Sequence, residues 1–361
     1  VVSGTFNMYG GSITGNNQSG KAVAGGGVYV GEGGIFNMYG GKITDNISSS
    51  GGGVGVSGTF NMYGGTISGN TADGTETHGG GGVSVGSSST FTMNGGTISG
   101  NKAVSNGGGV RVCYGGTFTM NDGTIGGTTD EEANEAEYNG GGVYVCSGNS
   151  GNTSSSKFTM NAGTITGNKA TNNGGGVYMA YVDSTFTMEG GTISDNTAKN
   201  GGGGVCVNKG TFTMKAVFIT GNTATSTFGG GVYVSDGTFT MNDSASITSN
   251  TASSGGGVCV GDGTFTMNGG TISGNTVTNC GGGVTITGKS GKFTVSGTVT
   301  ITGNKEGTTE NNVYLTGDKI NIGEDGLTQD ARIGISTLGG QLQFATGANN
   351  DALDYARIFI P

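Results

Sequence analysis

One word is written again and again along this chain: Phe-x-Met, then Gly-Gly-Thr-Ile-Ser-Gly-Asn, then Gly-Gly-Gly-Val-x-Val. Its clearest copy runs from Phe91-Thr92-Met93 through Gly95-Gly96-Thr97-Ile98-Ser99-Gly100-Asn101 to Gly107-Gly108-Gly109-Val110. Phe-x-Met opens units at Phe6, Phe36, Phe60, Phe91, Phe118, Phe158, Phe186, Phe212, Phe239 and Phe265, and an eleventh unit at Phe293 has Val295 in place of Met. The intervals are 30, 24, 31, 27, 40, 28, 26, 27, 26 and 28 residues. Such a period marks a repeat architecture, in which each unit is one supersecondary element that needs its neighbours to bury a core. Without the word, 83 glycines in 361 residues would read as low complexity, and no Gly-X-Y triplet is present to suggest collagen.

Each unit holds three short alternating segments. In Phe91-Thr92-Met93 the Phe and Met share one face; in Thr97-Ile98-Ser99 the Ile points away from two hydroxyls; in Val143-Tyr144-Val145 the valines share a face. Period-two alternation between Gly-rich breaks predicts β-strands. Three strands per unit, each parallel to its equivalent in the next, predict an all-β fold: a parallel β-helix of about eleven three-stranded coils. Parallel crossovers make it right-handed. At ~4.8 Å per coil the rod is roughly 53 Å long.

The division expected is 1–305 for the regular repeats and 306–361 for a C-terminal capping β region of degenerate repeats. Asn312-Val313-Tyr314-Leu315 echoes the third strand, and Lys319-Ile320-Asn321-Ile322, Arg332-Ile333-Gly334-Ile335 and Gln341-Leu342-Gln343-Phe344 read as further strands. Val1-Val2-Ser3-Gly4 reads as the tail of a unit, so the chain is expected to be part of a longer protein.

Asn recurs at one place in the word: Asn16, Asn46, Asn70, Asn101, Asn168, Asn196, Asn222, Asn250, Asn275 and Asn304. Asn tolerates the left-handed region and bonds locally in turns, so stacked copies predict an amide ladder at one corner. Glycosylation is the other reading, but among these positions only Asn46-Ile47-Ser48 has the required third residue. The fifth unit is expected to break the ladder. Gly126-Gly127-Thr128 stands where Ser-Gly-Asn is usual, and the acidic run Asp130, Glu131, Glu132, Glu135, Glu137 follows. That run is either a solvated loop or a cation or partner-contact site.

A net charge of −9 supplies no basic stripe for nucleic acid, and no apolar run reaches membrane-spanning length. No cofactor or metal is expected: His78 is the one histidine, and no Cys-x-x-Cys occurs. Cys113 and Cys146 follow equivalent strands of adjacent coils, so their Cα atoms fall within disulfide range. Cys206 and Cys259 stand two coils apart, which is too far. The acids scatter, with no paired-carboxylate geometry for a glycosidase. Two outward aromatic columns remain: Tyr9, Tyr39 and Tyr63, and Tyr29, Tyr144, Tyr178 and Tyr233. They either anchor a sugar or protein partner or shield a sheet face. Thr97/Ser99, Thr164/Thr166, Thr271/Ser273 and Thr300/Thr302 form a hydroxyl ladder of the kind an ice-binding β-helix uses, interrupted at Lys42, Gly126 and Phe218.

Ile98-Ser99-Gly100-Asn101 followed by Gly108-Gly109-Val110 resembles the Phe-x-x-Asn and Gly-Gly-Ala-Ile repeats of chlamydial polymorphic outer-membrane proteins, with Ile and Gly-Val as departures. The fuller word, with Gly-Gly-Gly-Val-Tyr-Val and the ending Phe344-Ala345-Thr346-Gly347, looks more like the large surface β-helix proteins of gut Firmicutes. The resemblance implies a right-handed β-helix, bacterial cell-surface display and an adhesin-like role, and carries over no catalytic residue. The expectation is a non-enzymatic extracellular rod or stalk that binds a host or bacterial glycan or protein or associates with itself. The alternatives are a carbohydrate-active β-helix enzyme and, more remotely, an ice-binding protein.

Overall fold

The computed structural model describes residues 1–20, 24–75, 78–86, 88–147, 154–242, 244–315, 320–336, 344–345 and 359–360. They form an all-β, right-handed parallel solenoid of about eleven turns. One coil shows the plan: Thr185–Met188, Thr192–Ser194, Thr197–Ala198 and Val205–Val207 are its strands. We call the four stacks of equivalent strands the Phe, Ile, Ala and Val tracks. The Ala track corrects the expectation of three strands. Its segments are only two residues long in most coils, too short for alternation to show.

Register is strict. Phe186 pairs with Phe158 and Phe212, Ile193 with Ile165 and Ile219, and Val205 with Val177 and Val232. The core is therefore made of columns of identical side chains. Phe rings stack from Phe6 to Phe293 at 4.5–5.1 Å, the spacing of the strands themselves. Phe36 to Phe293 on this column, with the Met, Ile and Val columns beside it, are buried.

The glycines permit this close stacking. Gly202 has φ +67°, a left-handed turn, and a Cβ on Gly203 would stand 2.6 Å from the backbone of Thr223 in the next coil. The same run donates its backbone N–H groups up the rod, from Gly203 to the Gly229 carbonyl at 3.1 Å and from Gly204 to the Gly230 carbonyl at 3.0 Å.

The corner between the Ile and Ala tracks holds the asparagines. Asn168 donates both its backbone N–H (3.0 Å) and its Nδ2 (2.9 Å) to Oδ1 of Asn196, and Nδ2 also reaches the Ile125 carbonyl at 2.9 Å. The pattern repeats from Asn16 to Asn304, and from Asn46 onward every rung is fully buried. The ladder does not break in the fifth unit. Asn134 fills that rung, accepting from Asn101 at 2.9 Å and donating to Asn168 at 2.8 Å. The chain bulges out after Gly126, makes a 3₁₀ turn at Asp130–Glu132, and returns with Asn134-Glu135-Ala136 in register with Asn101-Lys102-Ala103. At the far end Asn304 donates to Asn312, beyond a small antiparallel pairing of Lys305–Glu306 with Thr309–Glu310.

Val313–Tyr314, Ile320–Leu327 and Arg332–Ser336 carry the tracks further, with Ile320 on Phe293 and Ile333 on Ile301. Lys319, Gln341, Leu342 and Gln343 lie outside the described residues.

Replacing one buried rung leaves its neighbours' donors without an acceptor, at ~1–3 kcal/mol per group. Asn168→Ala is expected to lower unfolding stability by about 3 kcal/mol or more in urea titrations. A loss under about 1 kcal/mol would mean that the ladder is not a principal tie.

Candidate functional site

Outside the core, each track is a column in which a side chain meets its counterpart one coil away. The position after Met reads Tyr9, Tyr39, Tyr63, Asn94, Asn121, Asn161, Glu189, Lys215, Asn242, Asn268, Ser296. The three tyrosines stack at 4.9 Å and within 7° of parallel, and are 74%, 44% and 47% exposed. Stacking turns the inner ring faces toward one another and leaves edges and hydroxyls outward. Below them Asn161 donates to Asn121, Asn121 to Asn94, and Lys215 pairs with Glu189 at 2.9 Å.

The hydroxyl column on the Ile track bonds within itself, Ser194 to Thr166 at 3.0 Å and Thr248 to Thr220 at 3.3 Å. Phe218 stands 54% exposed in its midst. Asn46, the one ladder position with a glycosylation signal, is fully buried and bonded.

The acidic residues of the fifth unit do not converge. Asp130 pairs with Lys169 at 2.7 Å, and that contact holds its carboxyl below the usual range. Glu132 accepts from the backbone N–H groups of Thr128 (2.9 Å) and Thr129 (3.2 Å), which lower its pKa in turn. Glu135 sits on the Ala track and meets Lys102 at 3.4 Å. Glu131 is exposed and carries the backbone carbonyl that overhangs Gly100. Glu137 lines an open trough of about 560 Å³ that runs along the Ala track from Thr71 to Thr225. Lys102, Lys169 and Lys199 line it with Glu135 and Glu137, and its apolar lining includes Ala103, Ala136 and Ala170. The sequence does not mark this trough, because two-residue segments such as Glu135–Ala136 and Lys169–Ala170 are too short to alternate.

The second aromatic column lies on the outer face of the Val track and is less open than expected. Tyr178 is buried, and Tyr144 and Tyr233 are half-buried. The loops that follow the Val strands fold over this face, so Cys113, Cys146, Tyr178, Ala180 and Cys206 form a second apolar cluster with Tyr114, Tyr144 and Tyr233 against it. Tyr144 and Tyr178 stack at 5.5 Å. Burial pushes the Tyr144 hydroxyl up to about 12 and that of Tyr178 higher still.

Cys113 and Cys146 are joined in a disulfide, with Cα atoms 4.7 Å apart across adjacent coils. Cys206 and Cys259 are free and buried, with Tyr233 on the rung between them. Desolvation raises both thiols, Cys259 to about 12 and Cys206 further.

A family model described as the right handed beta helix region matches residues 132–304. This chain is a parallel β-helix repeat protein. No curated protein and no solved structure matches it.

Two measurements check this surface chemistry. In the folded protein only half-buried Cys280 is expected to react quickly with a thiol reagent, rising to three thiols on unfolding without reductant. Three fast thiols in the native state would contradict the burial of Cys206 and Cys259. The depressed carboxyls of Asp130 and Glu132 stabilise the 3₁₀ turn above the ordinary carboxylate range of about 4, and that contribution is lost as pH falls through their folded values. Amide protection at Thr128 and Thr129 should therefore fall in acid while the Asn101 amide, tied to Asn134, stays protected.

Proposed function

We propose that this protein is a non-enzymatic rod displayed outside the bacterial cell, adhesin-like, which holds an extended glycan or polypeptide along the trough of the Ala track. The observation that carries this reading is the way the rod uses its acids. Glu135, Asp130 and Glu189 are each taken up by a lysine, Lys102, Lys169 and Lys215, on exposed faces. Exposed pairs of this kind are worth little in stability and exchange readily for a ligand's own charges. A hydrolytic site would instead hold two carboxylates across a substrate bond, about 5–9.5 Å apart, with their pKa values pushed apart. The trough is long, shallow and of mixed charge, which suits a polymer lying parallel to the rod.

Display outside the cell is supported by the Cys113–Cys146 disulfide, since such bonds persist in oxidising compartments. The same rod could serve as a stalk or associate with itself, with the stacked Tyr9, Tyr39 and Tyr63 edges as a contact. Ice binding would need a flat hydroxyl face, and exposed Phe218 and Lys42 interrupt it.

The test is binding of the chain to arrays of bacterial and host glycans and extended peptides, alongside incubation with a polysaccharide panel. Retention without release of unsaturated or reducing ends is expected. Lys102→Glu with Lys199→Glu should weaken it by about tenfold, roughly 1.4 kcal/mol. Release of new chain ends would replace the reading with the carbohydrate-active one. No binding, with Tyr9, Tyr39 and Tyr63 silent to Ala, would leave a stalk.

A further inference from the structure

Of the chain's twelve tyrosines, Tyr9, Tyr39 and Tyr63 make an unbroken exposed run on three successive coils. The backbone N–H of Tyr39 donates to the Met8 carbonyl and that of Tyr63 to the Met38 carbonyl, each at 2.8 Å, so the ladder holds the rings one strand spacing apart. Their centroids are 4.9 Å from one another and their planes lie within 7°. Two glycines follow each ring, Gly10-Gly11, Gly40-Gly41 and Gly64-Gly65, so the turn beyond it carries no side chain to cover the outer edge. Tyr138 and Tyr181 are exposed as well, but neither stacks on a second ring among the described residues.

Neighbouring exposed phenols are arranged for a reaction that a solitary phenol cannot undergo within its own chain. A phenol gives up an electron readily when its proton can leave with it, and an exposed hydroxyl passes that proton to water. Two phenoxyl radicals held side by side then couple in a unimolecular step, with which encounters between dilute chains compete poorly. Tyr144 and Tyr178 supply the contrast. They also stack, at 5.5 Å, but in the apolar cluster on the Val track, where burial raises the Tyr144 hydroxyl to about 12 and opposes release of its proton.

We propose that the Tyr9–Tyr39–Tyr63 stack is a site of oxidative modification, at which a haem peroxidase using hydrogen peroxide forms dityrosine between adjacent coils. The oxidant takes one electron and one proton from each of two neighbouring phenols. The radicals join through one carbon–carbon bond between ring carbons ortho to the oxygens, and the hydrogen on each joined carbon moves to its oxygen to restore the phenol. Each bond formed removes two hydrogens from the protein and turns one peroxide into two waters. Tyr39 is shared by both pairs, so a bond forms at Tyr9–Tyr39 or at Tyr39–Tyr63. The product ties neighbouring coils at one end of the rod covalently, as the Cys113–Cys146 disulfide ties two coils further along. The site lies beyond the Met of the Phe track and does not depend on the trough.

The test treats the dilute intact chain with horseradish peroxidase and hydrogen peroxide and follows dityrosine fluorescence. The product is then unfolded, reduced and cut with trypsin. Cleavage after lysine separates the three rings into peptides 1–21, 22–42 and 43–102. Mass spectrometry is expected to find 1–21 joined to 22–42, and 22–42 joined to 43–102, each two hydrogens lighter than the sum of its parts, with the bond at Tyr39 by fragmentation. The protein should remain a single chain on a denaturing gel. Tyr39→Phe keeps a ring in the stack and leaves Tyr9 and Tyr63 two coils apart, so it should cut the fluorescence by about tenfold or more. Tyr9→Phe should spare the Tyr39–Tyr63 bond. Absence of dityrosine, dityrosine formed only between chains, or undiminished yield in Tyr39→Phe overturns the proposal. A Tyr144–Tyr178 bond formed as readily in the native protein overturns the selection of this stack by its exposure.

Discussion

Oδ1 of Asn196 accepts two hydrogen bonds from one residue, the backbone N–H and the Nδ2 of Asn168, and this arrangement sets the terms for the whole rod. Each rung must offer a two-lone-pair acceptor to the coil before it and an N–H donor to the coil after it. An amide side chain does both; a carboxylate cannot donate and a hydroxyl has one proton. Asn is short enough to do so while its own backbone turns the corner. Because the rungs are fully buried, a coil that failed to present one would strand donors in its neighbours. The spacing of the units can therefore vary from 24 to 40 residues only by looping out between rungs, never at them. The fifth unit obeys this: its acidic insertion bulges from Gly126 and delivers Asn134 to the vacant place.

The same register governs the surface. Coils stacked at strand spacing bring each outward side chain against its counterpart, so a column is stable when neighbours suit each other. Tyr stacks on Tyr, Asn bonds Asn, Glu meets Lys and Thr meets Thr or Ser. These contacts are cross-strand pairs, each worth a fraction of a kcal/mol up to ~1 kcal/mol. Much of what resembles a functional array in such a protein is accounted for by this matching. The tyrosine stack turns its ring faces inward on itself, and the hydroxyl column spends its hydrogen bonds along the rod.

What could be read in the sequence follows from repetition. Phe, Met, Ile and Val recur often enough for their faces and stacking order to be legible, and equivalence of position was sufficient to bring Cys113 to Cys146. What could not be read lay where repetition is short or displaced. The Ala track has two residues in most coils, too few to alternate, so the trough beside it was invisible. Asn134 stands away from its usual place in the word, although Asn134-Glu135-Ala136 matches Asn168-Lys169-Ala170 and could have betrayed it. The burial of Tyr178 depends on loops that fold over the Val track, and loops carry no period.

Arg111 separates from this background by the same logic that explains the rest. The cations in close pairs, Lys102, Lys169 and Lys215, ride on exposed tracks, and each has an acid in a neighbouring coil or loop. Arg111 has Ser84 on one side and Tyr144 on the other, and it is enclosed. At the same rung position other coils place Gly55, Cys206, Cys259 or Thr285, which fit the face without a charge. Scaffold chemistry thus has cheaper occupants for this place and uses them elsewhere on the rod. A lysine would snorkel toward water and hold its charge there, whereas arginine keeps its fork at the depth of the aromatic cluster. Packing alone favours neither the charge nor the fork, and the contact with the Tyr114 ring at 5.2 Å offsets only part of the cost of burying it.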